Sequence, residues 1–350
     1  MPSPIELRSD NAAGAAPELL RALAEANESS ALAYGGDSHT AALQEVAREV
    51  FEHEHAQVFP VVSGTAANSL GLSALCPPWG SIVCHETSHI YVNECGASSL
   101  FAGGAVIRGI PGQGYQLQPE GLARHLATVN WGDPHHSQPS VLSLTCPTDF
   151  GTVYSPTEVA ALSEVAAGHR MRRHLDGARV ANALVANACS PAALTWQAGI
   201  EVLSLGAIKN GAVSTDAIVS FDPEVNEALT FRLKRAGHVA SKMRFQSAQL
   251  VAYLTDGLWL RLARQANEAM AVLAAGLRGL GVELLNEPHA NIVFVRVGEP
   301  TVRRLADEQG LVFYEMGGGV ARFVTSFQTT EADATEAVRR VAAVLADPQR

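Results

Sequence analysis

Three short segments of this 350-residue chain carry side chains that could do chemistry together, and each follows a candidate β-strand. The run Ser63–Thr65 stands between such a strand and a helix-like segment. Backbone N–H groups at a helix N-terminus favour anions. Asp176 follows the short strand-like run Arg173–Leu175, and Lys209 lies in a Gly-containing turn after an apolar strand. The three segments offer an anion cradle, a carboxylate and an amine.

Each segment alone has an ordinary explanation: a helix cap at Ser63, a turn residue at Asp176 and a loop lysine at Lys209. The set is more specific, because ligands bind at the carboxyl edge of open α/β sheets. A phosphate cradle, a carboxylate that keeps a ring nitrogen protonated and an amine that reacts with an aldehyde are what pyridoxal 5'-phosphate (PLP) requires of a protein. The sequence therefore predicts a PLP site. Its residues are the Schiff-base amine Lys209, the carboxylate Asp176 and the phosphate cradle Ser63, Gly64 and Thr65.

The elements that must position these residues alternate between strands and helices up to about Phe221. This alternation predicts βαβ units and a mostly parallel, seven-stranded sheet. The candidate strands are Gln57–Val62, Ser81–Cys84, Ala105–Arg108, Val141–Thr145, Arg173–Leu175, Val202–Leu205 and Ala217–Phe221. Beyond them, Asn226–Ala240 and Gln249–Leu280 are each predicted to form one long helix, and short strands mixed with helices follow. We expect an N-terminal segment (1–15), a large cofactor-binding domain (16–248) and a small α+β C-terminal domain (249–350).

Composition limits the partners. The formal net charge is -10, which argues against nucleic acid or an anionic membrane surface as a partner. The five cysteines contain no C-x-x-C pair, so we expect reduced thiols in a cytoplasmic protein. Neither a signal peptide nor an apolar stretch of transmembrane length is recognisable.

Several landmarks also carry a family resemblance. They are Leu7–Asp10, Tyr34–Asp37, Ser63–Thr65, His89 with Glu94 and Gly96, Asp176–Arg179, and Lys209. With them the chain resembles the threonine aldolase family, a branch of the fold-type-I PLP enzymes that also include β-eliminating lyases. The run Ala240–Phe245 resembles the bacterial low-specificity L-threonine aldolases in particular. The resemblance implies the aspartate aminotransferase fold type I. It also implies a lyase that cleaves L-threonine, L-allo-threonine or a related β-hydroxy-α-amino acid, such as phenylserine, to glycine and an aldehyde.

The resemblance implies roles for further residues. Arg179 would lie near the ring hydroxyl and the substrate carboxylate, which Ser9 and Arg322 would also bind. His89 would stack on the cofactor ring and take part in proton transfer at the substrate hydroxyl.

The resemblance further implies a homo-oligomer, a dimer or a dimer of dimers, with shared active sites. Arg244 would reach the cofactor phosphate of a neighbouring subunit, and Tyr34 would contact substrate across the same interface.

Two positions depart from the family pattern. Ile208 replaces a serine or threonine that relatives often carry before the lysine. The run Cys146–Asp149 stands where many relatives have Thr-His-Asn, so a histidine that assists the base there is missing. His135 or His136 could take its place near the site, but we interpret both as ordinary interface or loop histidines.

One motif points to a different class. His85–His89 matches H-E-x-x-H, a zinc pattern that needs both histidines on one helix. Thr87 and Ser88 are poor helix formers, so we interpret the match as coincidence and predict no metal. A zinc hydrolase, another fold-type-I PLP β-eliminating lyase and a non-catalytic PLP-binding relative are the alternatives.

Overall fold

The computed structural model describes residues 3–346, so the ends of the proposed N-terminal and C-terminal segments lie outside the described residues. Its strands are β1 (Ile5–Glu6), β2 (Gln57–Val61), β3 (Gly80–His85), β4 (Val106–Ile110), β5 (Gln138–Thr145), β6 (Arg172–Gly177), β7 (Val202–Leu205), β8 (Asp216–Ser220), β9 (Glu283–Leu284), β10 (Ile292–Arg296), β11 (Leu311–Val312), β12 (Tyr314–Glu315) and β13 (Val320–Val324). Its helices are α1 (Pro17–Ala26), α2 (Ser38–Val50), α3 (Gly64–Leu75), α4 (His89–Val92), α5 (Ala97–Phe101), α6 (Pro119–Ala127), α7 (Pro156–Gly168), α8 (Val180–Asn187), α9 (Pro191–Leu194), α10 (Pro223–Arg235), α11 (Arg244–Leu254), α12 (Leu258–Gly279), α13 (Glu299–Asp307) and α14 (Glu331–Leu345).

The large sheet has the strand order β2-β8-β7-β6-β5-β3-β4. Only β8 runs against the others, since it pairs antiparallel with both β2 and β7. The prediction of a mostly parallel, seven-stranded sheet is therefore confirmed. Every residue of β3, β7 and β8 is buried, as expected for strands covered by helices on both faces.

The turns at the carboxyl edge of this sheet set the positions of the predicted site residues. After β2, extended Ser63 caps α3, and its side chain accepts a hydrogen bond from the Ala66 N–H at 3.2 Å. After β7, Gly206 passes the turn that follows β6 so closely that an added Cβ would lie 2.1 Å from the Ala178 carbonyl oxygen. Glycine at this point brings the loops that carry Asp176 and Lys209 together.

A four-stranded antiparallel sheet of order β12-β13-β10-β9 forms the C-terminal part with α12, α13 and α14, and β1 pairs parallel with β11. The expected single helix Gln249–Leu280 is wrong. Asp256 and Gly257 have φ values of 51° and 65°, and this left-handed pair separates α11 from α12.

The other long helix is shorter than expected. Asp222 caps it by accepting from the Glu224 N–H, and it ends before Gly237, whose φ is 78°.

Core packing crosses the proposed domain boundaries. Leu250 and Trp259, which follow residue 248, are buried in the cluster around the large sheet. Leu7, which lies in the N-terminal segment, is buried with Phe323 in the cluster of the small sheet. The division at residues 15 and 248 remains a prediction.

Two sequence expectations can be compared with the described residues. All five cysteines are free, three are buried, and Cys95 is exposed. Within residues 3–346, no helix combines the length and apolar character needed to cross a bilayer.

Candidate active site

Two adjoining cavities lie at the carboxyl edge of the large sheet. The inner cavity has a volume of about 230 Å³ and the outer cavity about 450 Å³. The residues that line both are Asn11, His89, Asp149, Arg179 and Lys209. Those that line only the inner cavity are Ser63, Gly64, Thr65, Asn68, Glu94, Thr145, Pro147, Asp176, Ala178, Ile208 and Asp216. Those that line only the outer cavity are Ser9, Thr87, Val92, Asn93, Phe150, Phe294, Tyr314, Met316 and Arg322. The anion cradle, the carboxylate and the amine thus surround one space, as the sequence predicts.

One end of the inner cavity is the N-terminus of α3. The backbone N–H groups of Gly64 and Thr65 have no acceptor among the described residues, and the hydroxyls of Ser63 and Thr65 stand beside them. Free N–H groups and the helix dipole make this end suitable for a phosphate.

Lys209 lies in a short 3-10 helix after β7, and a buried carboxylate braces the turn. Asp216 Oδ1 accepts from the N–H groups of Ala207 and Ile208 at 2.7 and 2.9 Å. The Lys209 Nζ itself makes no hydrogen bond or ion pair with any described residue. Burial, and next the charge of Arg179, lower the pKa of Lys209. The neutral amine that a carbonyl compound requires is therefore favoured.

Asp176 is buried at the end of β6 and belongs to a hydrogen-bonded network. Its Oδ1 accepts from the Ala178 N–H at 3.1 Å, and its Oδ2 accepts from Asn68 Nδ2 at 3.0 Å. Asn68 Nδ2 also donates to Glu94 Oε1 at 2.8 Å. His89 Nδ1 donates to the same oxygen at 2.9 Å. The network thus connects the Asp176 carboxylate to the His89 imidazole, and both line the inner cavity.

The Glu94 hydrogen bond has an electrostatic consequence for His89. This hydrogen bond raises the pKa of His89 more than any other cause, while burial lowers it, and the net result is a raised pKa. Burial in turn raises the pKa of Glu94.

Arg179 stands at the start of α8 and is buried in a two-bond ion pair. Its Nε and Nη2 donate to Asp10 at 2.5 and 2.9 Å. Its Nη1 has no partner among the described residues, so it can donate to a ligand in either cavity.

The outer cavity is lined by both cationic and aromatic side chains. Arg322 comes from β13, its guanidinium lies 5.8 Å from the centre of the Tyr314 ring, and its buried Nε has no hydrogen-bond partner among the described residues. Phe294 lies opposite Arg322 on β10, and its ring centre is 4.9 Å from that of Phe150, which also stacks on Tyr115 at 3.7 Å. Such a cavity suits a ligand that carries both a carboxylate and an apolar group.

Tyr34 and Arg244 line neither cavity of this chain. Tyr34 is exposed, and the Lys234 ammonium lies 4.7 Å from its ring centre. Arg244 begins α11, and its guanidinium lies 5.0 Å from the Phe245 ring centre. Their role across a subunit interface remains a prediction.

The H-E-x-x-H match does not form a zinc motif. His85 ends β3, Glu86–Ser88 form a turn, and His89 begins α4, so the two histidines do not share a helix. His85 Nδ1 lies 2.8 Å from the Thr87 hydroxyl instead.

Sequence reasoning missed four residues that shape the site: Asp10, Asn68, Glu94 and Asp149. Asp10 and Glu94 occur within the family landmarks but had no assigned role. Asn68 carried a weak signal, since it lies one helical turn after Gly64 and so faces the same way. His135 and His136, by contrast, are exposed and line neither cavity.

The chain is similar in sequence to known proteins. The chain matches the sequence profile of the beta-eliminating lyase family over residues 6–300. It is 39% identical over 341 residues to the low specificity L-threonine aldolase of Pseudomonas sp. (strain NCIMB 10558), covering 97% of this chain and 98% of that protein. It is also 39% identical, over 342 residues, to the low specificity L-threonine aldolase of Pseudomonas aeruginosa, with 97% and 98% covered.

Solved structures show the same fold. The threonine aldolase of Leishmania major superposes with a TM-score of 0.90 at 23% identity, covering 98% of this chain and 100% of that one. The aspartate aminotransferase of Thermus thermophilus superposes with a TM-score of 0.67 at 17% identity, covering 98% and 92%. These likenesses confirm the expected aspartate aminotransferase fold type I. Together with the sequence matches, they show that the chain belongs to the beta-eliminating lyase family, in its threonine aldolase branch, and is a lyase.

Proposed function

We propose that this chain holds PLP in the inner cavity and cleaves L-threonine, L-allo-threonine or a related β-hydroxy-α-amino acid to glycine and an aldehyde. The observation that carries the proposal is the enclosure of one cavity by the unpartnered Lys209 amine, the Asp176 carboxylate and the free N-terminus of α3. The names of the relatives, low specificity L-threonine aldolase, support the choice of reaction.

The residues of the inner cavity fit PLP on three separate counts. The free N–H groups of Gly64 and Thr65 suit the phosphate, with Ser63 beside them. Asp176 accepts two hydrogen bonds and keeps lone pairs for a protonated ring nitrogen. Lys209 provides a buried amine of lowered pKa for the aldehyde. When bound, PLP would supply an electron sink for the pair released at the substrate Cα.

The outer cavity would hold the substrate. Arg322, Ser9 and the free Nη1 of Arg179 would bind its carboxylate, since all three residues line this cavity. Orienting the carboxylate decides which bond at Cα breaks. His89, held by Glu94, would contact the ring and take part in proton transfer at the substrate hydroxyl.

The first experiment measures acetaldehyde and glycine released by the reconstituted protein from L-threonine and L-allo-threonine, and benzaldehyde and glycine from phenylserine. Cleavage of any of these substrates is the expected result. Elimination products, with no glycine, would favour the alternative of another β-eliminating lyase. Binding of PLP without turnover would favour a non-catalytic relative.

Lys209→Ala tests the cofactor assignment. The variant is expected to lose both the absorbance of covalently held PLP and the cleavage activity. Arg264→Ala, which alters an exposed cationic side chain of α12 that lines neither cavity, is the control and should keep the absorbance. Absorbance and activity that persist in the Lys209 variant would refute the assignment.

A cytoplasmic homo-oligomer, a dimer or a dimer of dimers, completes the proposal. Five unpaired cysteines support a reducing compartment. Exposed Tyr34 supports a contact across a subunit interface. Sedimentation of the wild type and Tyr34→Ala would test the assembly.

A further inference from the structure

Asp149 occupies the point where the two cavities meet. It lies in the loop after β5 and lines both the inner and the outer cavity. It also lines a third, small cavity of about 10 Å³, together with His85, Thr148 and Tyr154. This volume is near the lower limit for a single water molecule.

The Asp149 side chain makes no hydrogen bond or ion pair with any described residue, and its Oδ2 is fully buried. A buried carboxyl oxygen without a partner is costly in a folded protein. Such a group in a native site therefore calls for a ligand or a function.

The other residues shared by the two cavities are already engaged. Arg179 is bound to Asp10 through two hydrogen bonds, and Lys209 is assigned to the cofactor aldehyde. His89 donates through Nδ1 to Glu94, which favours its protonated form and makes the ring a hydrogen-bond donor. Asp149 is the one carboxylate among these shared residues, and it is free to accept a proton.

We propose that Asp149 is a further catalytic residue, the acceptor of the substrate β-hydroxyl proton, with His89 as a hydrogen-bond donor to the same oxygen. The inference rests on the proposed function. In the step, the hydroxyl O–H bond breaks and its proton passes to the Asp149 carboxylate. The oxygen lone pair forms the aldehyde C=O while the Cα–Cβ bond breaks and leaves its electron pair at Cα. The Cα carbon later takes up one proton to give glycine. The overall reaction therefore neither consumes nor releases protons.

The surroundings of Asp149 raise its affinity for a proton. Burial first, and then the charge of Asp176, raise the pKa of Asp149, while His89, Arg179 and Lys209 lower it. Arg322 also faces it from the small sheet. A carboxyl group with a raised pKa is a stronger base than an exposed one.

The test compares wild type, Asp149→Asn and Asp307→Asn, all loaded with PLP. Asp307 is an exposed aspartate at the end of α13 that lines neither cavity. Asp149→Asn should lower kcat for aldehyde release at least about 100-fold, the usual contribution of a general base. It should retain cofactor absorbance and the exchange of the glycine Cα proton with deuterated water, because that exchange involves no hydroxyl. Asp307→Asn should match the wild type in kcat, in cofactor absorbance and in the rate of glycine exchange.

A second readout needs no cofactor. In the apo-protein, the raised pKa means that the stabilising contribution of Asp149 is present at low pH and lost as the pH rises through that pKa. The difference in Tm between Asp149→Asn and wild type should therefore shift in favour of the variant as the pH rises, and Asp307→Asn should show no such shift. If Asp149→Asn does not fold, Asp149→Ser replaces it in both arms.

The outcomes separate the inference from the proposed function. Equal cleavage by wild type and Asp149→Asn would overturn the inference and leave the proposed function intact. Equal loss of cleavage and glycine exchange in the variant would also overturn it, since Asp149 would then be needed for cofactor or substrate binding. A wild type that exchanges glycine but cleaves no β-hydroxy amino acid would overturn the proposed function, and the inference with it.

Discussion

His174 should make the stability of this protein depend on pH in a way that can be measured. It lies in the middle of β6, fully buried, two residues before Asp176 and on the same face of the strand. Its Nδ1 lies 2.9 Å from the Ser143 hydroxyl and its Nε2 lies 3.0 Å from the Ser204 hydroxyl. The ring thus connects β5, β6 and β7 directly behind the predicted cofactor carboxylate.

The magnitude follows from the shift in its pKa. Burial lowers the pKa of His174 from its ordinary value of 6.5 to about 4. Between these values the unfolded chain binds a proton that the folded chain does not, so stability rises with pH across this window. The contribution is complete above the unfolded pKa and is lost as the pH falls through the folded pKa. At about 1.4 kcal/mol per pKa unit, the full term is on the order of 3 kcal/mol.

The assay is urea unfolding of the apo-protein at fixed concentration, at several pH values from about 4.5 to 8. His174→Gln replaces the ring by an uncharged group that can donate and accept hydrogen bonds. The variant should be less stable than wild type at pH 8, because it disturbs close packing. Its deficit should shrink by about 2 kcal/mol at pH 5, where wild type has lost much of its His174 contribution. His135→Gln, at an exposed loop position, is the matched control.

Comparing two proteins that differ at one site separates His174 from the buried carboxyl groups. Burial raises the pKa of Asp216 and Glu201, so their contributions run the other way with pH. The contributions of Asp216 and Glu201 are the same in wild type and variant. They therefore cancel when the two free energies of unfolding are subtracted. A deficit that stays constant across the pH range would refute the reasoning, since it would mean that His174 titrates alike in the folded and unfolded chains.

Two further predictions concern substrate binding and the turn beside Lys209. Arg322→Ala should raise the substrate KM at least about 10-fold, since a charged hydrogen bond is worth about 1.5–3 kcal/mol. The affinity for PLP should stay near that of wild type. An unchanged KM would remove Arg322 from the carboxylate-binding role. Gly206→Ala should lower the free energy of unfolding, measured with urea, by about 1–3 kcal/mol, because the new Cβ would lie 2.1 Å from the Ala178 carbonyl oxygen. Gly168→Ala is the control, since a Cβ there meets nothing within 4 Å, and it should change the free energy of unfolding much less.

The sequence predicted the large sheet well because apolar, β-branched runs fix where buried strands lie. The same signal located Lys209, since the residues that follow such strands gather at one sheet edge. It was weaker before Asp176, because β6 begins with the polar residues Arg172, Arg173 and His174. It failed at Asp256–Gly257, where the apolar pattern continues on both sides of the break. Only the left-handed conformation of these two residues, and the separate burial of α11, reveal the turn.

The contacts that complete the site were beyond sequence reasoning for a physical reason. Asp10 and Arg179 are 169 residues apart in the chain, and their ion pair exists only because the N-terminal segment crosses the edge of the large sheet. The pairing of Glu94 with Asn68 likewise depends on how α3 lies over the loop after β3. Neither pair follows from local periodicity, since each joins elements that meet only in the folded chain.

The two cavities therefore differ in how they depend on the rest of the fold. Apart from Asn11, the inner cavity is lined by residues 63–216, which belong to the large sheet and its helices. The outer cavity also takes Ser9 from the N-terminal segment and Arg322 from the small sheet. Asn291 ties these parts together, because its Nδ2 donates to Asp10 Oδ2 at 3.1 Å and to the Thr325 carbonyl at 2.7 Å. Movement of the small sheet would thus displace Arg322 relative to the cofactor cradle, which belongs to the large sheet and its helices. Substitutions in the small sheet should therefore alter KM before they alter cofactor affinity.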